Sequence, residues 1–179
     1  HSLGLTGFKE PMAIESDLVA YCGADDSGAL KLHVACHLVR QSPIAEDFVP
    51  YETLVEWRKK YARPHVRCDY AKLFLDGVAP SLTASFLDPY LPGSAPGYDP
   101  ARYDADALLQ ISPDTIADEI AALDRLGFTV KMHAVGDRAV RAGLDGIAAA
   151  RQRNGASGLR HEIAHTPFIH ADDLPRFRE

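Results

Sequence analysis

The chain has 179 residues, 46% hydrophobic and 25% charged, which is enough apolar material for a buried core. Its formal charge of −6 at pH 7 excludes a general binder of nucleic acid or anionic membrane, since both need a basic surface. No apolar run approaches the roughly 20 residues that span a bilayer. Cys22, Cys36 and Cys68 are widely spaced and form no CxxC pair, so they read as reduced, buried thiols.

In chain order, Gly4–Glu10 reads as the end of an early strand, with Glu10 near the mouth, and Ala24–Gly28 is a turn cluster. Leu30–Leu38 alternates, with Lys31, His33, Ala35 and His37 on one face and Leu32, Val34, Cys36 and Leu38 on the other. Pro50–Tyr61 has the helical spacing Leu54, Trp57, Tyr61. Tyr70–Leu75 alternates again, setting Tyr70, Lys72 and Phe74 against Ala71, Leu73 and Leu75. A Pro/Gly-rich loop fills Pro89–Pro100.

Ser112-Pro113-Asp114 is a helix start. Ser112 caps the free amides, Pro113 fits the first helical position and Asp114 suits the dipole. Ile116, Ile120 and Leu123 make the stripe, and Gly127 ends the helix. Phe128–His133 is a strand, and Asp137 is expected to cap the helix that carries Val140, Leu144 and Ile147. Asn154-Gly155 closes that helix. Leu159–His165 is the last strand, and Asp172 or Asp173 begins a final helix.

Strands alternating with helices imply parallel strands joined by right-handed crossovers. Three strands carry Lys or His on one face, whereas a doubly wound sheet buries both faces in apolar contacts. A barrel strand can turn polar on its inner face near the catalytic mouth. The expected fold is therefore α/β, a partial (β/α)8 TIM barrel. A whole barrel needs about 250 residues, so this chain supplies about five of the strands. It opens at His1 rather than Met and stops at Glu179 within a helical pattern, which makes a piece of a longer protein the expectation. No secretory leader is visible, and a cytoplasmic location is expected.

Lys72, His133 and His165 lie at the C-terminal ends of their strands, on what reads as the inward parity. Imidazole binds Zn, Fe or Mn well. A single such His is ordinarily a hydrogen-bonded structural residue, but two at equivalent positions favour a metal. Lys72 has three readings: an ion pair with Asp76, a lysine carboxylated by CO2, or a Schiff-base lysine. Arg138 reads either as a holder of an anionic substrate group or as a solvated helix residue. Asp76, Asp137 and Arg138 are the expected substrate-binding residues.

His161-Glu162-Ile163-Ala164-His165 matches the HExxH string of zinc peptidases, but that motif works only on a helix. Gly155 and Gly158 precede it and Pro167 follows, so a strand is expected. There His161 and His165 share a face about 13 Å apart, too far to chelate one metal. The same strand parity turns Arg160 and Glu162 toward the helices.

Three stretches carry a resemblance. Tyr70-Ala71-Lys72-Leu73-Phe74-Leu75-Asp76-Gly77-Val78, Met132-His133-Ala134-Val135-Gly136-Asp137-Arg138 and Arg160-His161-Glu162-Ile163-Ala164-His165 resemble motifs of the YtcJ-like branch of the amidohydrolase superfamily, in order and spacing. Gly4-Leu5-Thr6-Gly7 is similar to an earlier strand of that family. The resemblance covers nearly all of residues 1–179 as one partial barrel domain, about strands two to six. It implies a metal-dependent hydrolase of amide-type C–N bonds in small molecules. Lys72, in carboxylated form, and His133 and His165 match the family's metal ligands, with one or two divalent ions expected, zinc first. Residues 79–103 occupy the place of the substrate-covering loop.

Two departures stand out. Ala164 replaces the usual Glu, and Thr166-Pro167 replaces Ala-Gln. The family's first-strand HxH pair and its later Asp base have no counterpart, so no catalytic residue is assigned and the chain alone is expected to be inactive. A non-catalytic regulatory or binding relative is the alternative, and a zinc peptidase a more distant one. Open sheet edges make self-association an expectation.

Overall fold

The computed structural model describes residues 3–43 and 48–178. His1 and Glu179, cited above for the chain ends, lie outside them. The elements are β1 (Gly7–Ala13), α1 (Glu15–Asp26), β2 (His33–Val39), α2 (Tyr51–Lys60), β3 (Val66–Phe74), α3 (Pro113–Arg125), β4 (Thr129–Ala134), α4 (Asp137–Asn154) and β5 (Glu162–His165). A 3-10 stretch, Ala171–Arg178, follows in place of the expected final helix. The strands form one parallel sheet in the order β1-β2-β3-β4-β5.

Most expected elements appear with shifted ends. Ser112 caps α3 by accepting from the Thr115 amide, as its chemistry predicts. The early strand runs from Gly7 to Ala13, starting and ending later than the expected Gly4–Glu10. Its Pro11 lies within the irregularity between Glu10 and Ala13, where an edge strand tolerates a missing N–H. The helix α1 was not foreseen. Only Leu18 and Cys22 are buried on it, too short a stripe to read as a period.

The strand faces divide cleanly. Val34, Cys36 and Leu38 of β2, Ala71 and Leu73 of β3, and Val130, Met132 and Ala134 of β4 are buried under the helices. They join Leu18, Leu54, Ile116, Ile120, Leu123, Val140 and Leu144 in one core. The helix α4 packs tightly because Gly146 carries no side chain; a Cβ there would sit 2.6 Å from Ile120 Cδ1. All three cysteines are free and buried, as expected.

The other face carries Lys9, His37, Tyr70, Lys72, Phe74, Thr129, Lys131, His133 and Glu162. Glu162 accepts from Lys131 Nζ at 2.7 Å and also pairs with Lys9. Lys9 is on the first strand and Glu162 on the last. In a flat sheet those strands would stand about 19 Å apart, beyond the reach of one ion pair. The sheet is therefore curled, with this face concave: a half-barrel of the (β/α)8 kind. Among the described residues no helix is long and apolar enough to cross a membrane.

Candidate metal centre

Lys72, His133 and His165 meet at the C-terminal rim of β3, β4 and β5. The rings of His133 and His165 lie 4.7 Å apart, centroid to centroid, at 64°. The Lys72 ammonium sits 4.5 Å from the Phe74 ring centre, and Phe74 in turn lies 5.6 Å from His133. Strand pairing explains part of this convergence, since Phe74 is the partner of His133 and Lys72 the partner of Lys131.

His165 arrives by a different route. Its register partner is Ala134, a core residue, so strand parity points it away from the concave face. The backbone turns instead, with φ of 76° at His165 and 42° at Thr166, both in the left-handed region that side chains disfavour. The Thr166 amide still bonds to Ala134 O at 3.1 Å. The expected inward parity of His165 is thus corrected: the turn, not the pleat, delivers it beside His133.

The rest of the HExxH string is corrected too. Glu162 faces the concave side, held by Lys131 and Lys9, rather than the helices. His161 faces the helices, where Nε2 lies 3.1 Å from Asp124 Oδ1 and Nδ1 accepts from the Val130 amide at 3.1 Å. The two histidines of the string thus face different layers.

The electrostatics of the rim follow from burial. Lys72 is 2% exposed. Desolvation first, then the charge of Lys131, pulls its pKa down to about 8. Among the described residues no carboxylate lies within ion-pair reach of it, so the pairing with Asp76 is not formed. Burial, then the neighbouring His133, Lys72 and Lys131, lowers the pKa of His165. His133 Nε2 lies 2.9 Å from Gly77 O, and a carbonyl only accepts, so Nε2 carries the proton. That leaves Nδ1 with a free lone pair.

The three expected substrate-binding residues all engage the segment between β3 and α3 or its anchorage. Asp76 accepts from the amides of Ser85, Val135 and Gly136 at 2.9 to 3.0 Å. Burial raises its pKa and the three amides oppose the rise. Asp137 is the first residue of α4 rather than its cap; the cap position is Gly136, and Asp137 Oδ1 takes the Leu87 amide at 2.8 Å. Arg138 Nε bonds Asp106 Oδ1 at 2.7 Å. These groups hold the segment between β3 and α3 in place.

That segment has an aromatic centre. Phe86 meets Tyr90 at 5.1 Å and Phe168 at 5.0 Å, both edge to face. The Tyr103 hydroxyl accepts from the Phe86 amide and donates to the Phe86 carbonyl, both at 2.7 Å.

Several residues gave no signal in the sequence. Arg40 forms a two-pronged pair with Glu119, at 2.8 and 2.7 Å, and stacks on Tyr51. Gln41 Oε1 accepts from the Phe74 amide at 3.0 Å, steadying the strand beside Lys72. Below the rim, His37 is fully buried, with Nδ1 3.2 Å from the carbonyls of Glu10 and Ala35. Its Nε2 has no hydrogen-bond partner among the described residues, and burial pulls its pKa down to about 4. A polar residue inside an alternating strand was legible, but its partners were not.

The donor set at the rim suits a divalent ion. Two imidazoles close together, one with its free nitrogen already selected, are borderline ligands for Zn, Fe or Mn. An amine nitrogen adds an oxygen ligand only after it takes up CO2. Among the described residues no group of three or more His, Cys, Asp or Glu side chains stands close enough to hold a metal by itself.

The pattern of the amidohydrolase family matches residues 1–179. The exoenzymes regulatory protein AepA of Pectobacterium carotovorum subsp. carotovorum is 26% identical over 179 residues, covering 99% of this chain and 35% of that protein. An uncharacterized metal-dependent hydrolase from Pyrococcus furiosus superposes with a TM-score of 0.67 at 26% identity, over 99% of this chain and 33% of that one. A second, from Pyrococcus horikoshii OT3, superposes with a TM-score of 0.69 at 22% identity, over 99% and 32%, a likeness of fold. The chain spans about a third of the length of these relatives. With the curled parallel half-barrel and the paired histidines at its C-terminal rim, the match over its full length shows that the chain belongs to the amidohydrolase family.

Proposed function

We propose that this chain is part of the metal centre of a hydrolase that cleaves an amide-type C–N bond in a small molecule. The observation that carries the reading is the meeting of His133 and His165 beside a buried lysine that has no carboxylate partner among the described residues. His133, through Nδ1, and His165 would hold a divalent ion, with zinc the best match to two imidazoles. Such an ion supplies an activated water and polarises the substrate carbonyl. Lys72 joins as a carbamate: its neutral amine adds to CO2, the N–C bond forms and the amine proton leaves to solvent. With a pKa of about 8, roughly one Lys72 in ten is neutral at pH 7. The segment over the rim excludes water, and the floor of cations and Glu162 beneath it fixes the depth.

Because the chain spans a third of its relatives, the remaining ligands and the general base belong to the whole protein in this reading. The chain by itself would be inactive and, with its sheet edges unpaired, prone to self-association. Metal analysis of the intact protein tests the proposal. One or two equivalents of divalent ion, lost in His133→Ala, with hydrolysis of N-acyl or N-formyl amines, is the expected result. Metal-free wild-type protein without turnover would overturn it.

A second reading, a non-catalytic regulatory relative, is favoured by the description of the Pectobacterium protein as regulatory. It predicts wild-type protein with no metal and no turnover at any amide.

A further inference from the structure

The carboxylate of Asp76 is 0% exposed and surrounded by donors. Oδ2 takes the amides of Ser85 and Gly136 at 3.0 and 2.9 Å, and Oδ1 takes the amide of Val135 at 2.9 Å. Ser85 begins the aromatic stretch of the covering segment, whereas Val135 and Gly136 form the turn that follows His133. One side chain therefore ties together the exit of β3, the covering segment and the exit of β4. The backbones touch at this knot, where a Cβ on Gly136 would fall 2.0 Å from Ser85 O. Ser85 O in turn accepts from the first amides of α4, Arg138 N at 3.1 Å and Ala139 N at 3.3 Å.

The next residue after Asp76 is Gly77, whose carbonyl receives the His133 Nε2 proton at 2.9 Å. Asp76 Oδ1 lies 3.6 Å from the same nitrogen. That is too long for a hydrogen bond, but its charge favours the proton on that side of the ring. We infer that Asp76 is a positioning residue for His133: its three amide bonds fix the Asp76–Gly77 corner so that the Gly77 carbonyl holds Nε2–H and the ring presents Nδ1 to the rim. The inference rests on the proposed metal centre only for what Nδ1 then binds; the hold on the ring is a property of the metal-free protein.

Asp76→Asn is the informative change. An amide offers one oxygen and one NH2 where the carboxylate offers two oxygens, so at least one of the three N–H groups loses its acceptor. The experiment uses the intact protein, metal-free, with 15N-labelled histidine, and reads the solvent exchange of the His133 Nε2 proton by NMR. In parallel, Zn2+ alone is titrated against a competing chelator. Asp76→Asn should speed exchange of that proton about tenfold and weaken Zn2+ binding about ten- to a hundredfold, the usual effect of losing a residue that orients a ligand. Asp124→Asn, on the far side of the sheet, serves as the control: it should lower stability and move neither readout.

A folded Asp76→Asn protein with both values within about twofold of wild type would overturn the inference. If that variant does not fold, wild-type amide exchange decides. Ser85, Val135 and Gly136 should be protected together, and exchange of any of them at the rate of an open loop would reject it. Wild-type protein that binds no Zn2+ but whose His133 proton responds to Asp76→Asn would reject the metal reading and leave the role of Asp76 standing.

Discussion

His133 lies in β4 and His161 immediately before β5, each beside a buried aspartate, yet they occupy opposite situations. His161 is closed: one ring nitrogen accepts from Val130, and the other faces Asp124. Asp124 is itself ringed by Asn154, Ser157 and Arg151. Around His133 the carbonyl of Gly77 takes one nitrogen, the other has no hydrogen bond among the described residues, and the His165 ring lies 4.7 Å away, centroid to centroid. The same residue types thus make a joint in one layer and an open valence in the other. The number of satisfied ring nitrogens separates them better than the motif string does, since that string contains both His161 and His165.

Closed polar groups should carry stability, and the open rim should carry little of it. The largest effect is expected at Arg40–Glu119, whose side chains are 9% and 10% exposed. Glu119→Ala strands a buried guanidinium and should cost about 4 kcal/mol in urea unfolding of the intact protein. Acid should be nearly as damaging. The folded pKa of His37 is about 4, below the ordinary value of 6.5, so the unfolded chain takes up the proton first. Stability is therefore full above pH 6.5 and falls by about 3 kcal/mol as pH drops to 4. His161, whose pKa is also lowered by burial, pulls the same way. In His37→Phe the slope of unfolding free energy between those pH values should flatten; an unchanged slope would refute its assignment to His37.

Asp124→Asn should cost about 2 kcal/mol, because an NH2 now faces donors that the carboxylate had accepted. His133→Ala reverses the pattern: under about 1 kcal/mol of stability, by thermal unfolding of metal-free protein, together with complete loss of bound metal. A larger stability loss would place His133 with the structural histidines and erase the comparison. The smallest effect is expected at Lys9→Ala, about 0.5 kcal/mol, since its side chain is 51% exposed.

What could be read beforehand was local. The cap at Ser112, the stripe of Ile116, Ile120 and Leu123, and the alternation through Lys72 and His133 are written within a few residues of one another. They survived intact in α3, β3 and β4. Pairs such as Arg40 with Glu119, or His161 with Asp124, depend on how strands and helices stack, which no short window contains. The direction of His165 was misread for a subtler reason. Alternation assumes extended backbone to the strand's last residue, and here that residue turns left-handed. The partners of Asp76, Asp137 and Arg138 were equally hidden, since Ser85, Leu87 and Asp106 lie in the long segment between β3 and α3.

The bridge from Lys9 through Glu162 to Lys131 gives the rim a floor. Lys131 lies two residues before His133, or about 7 Å lower along the strand. At that depth the concave face is crossed from edge to edge by paired charges, with His37 a register step lower. This layer of charge lies on the N-terminal side of His133 and separates the rim from the rest of the concave face.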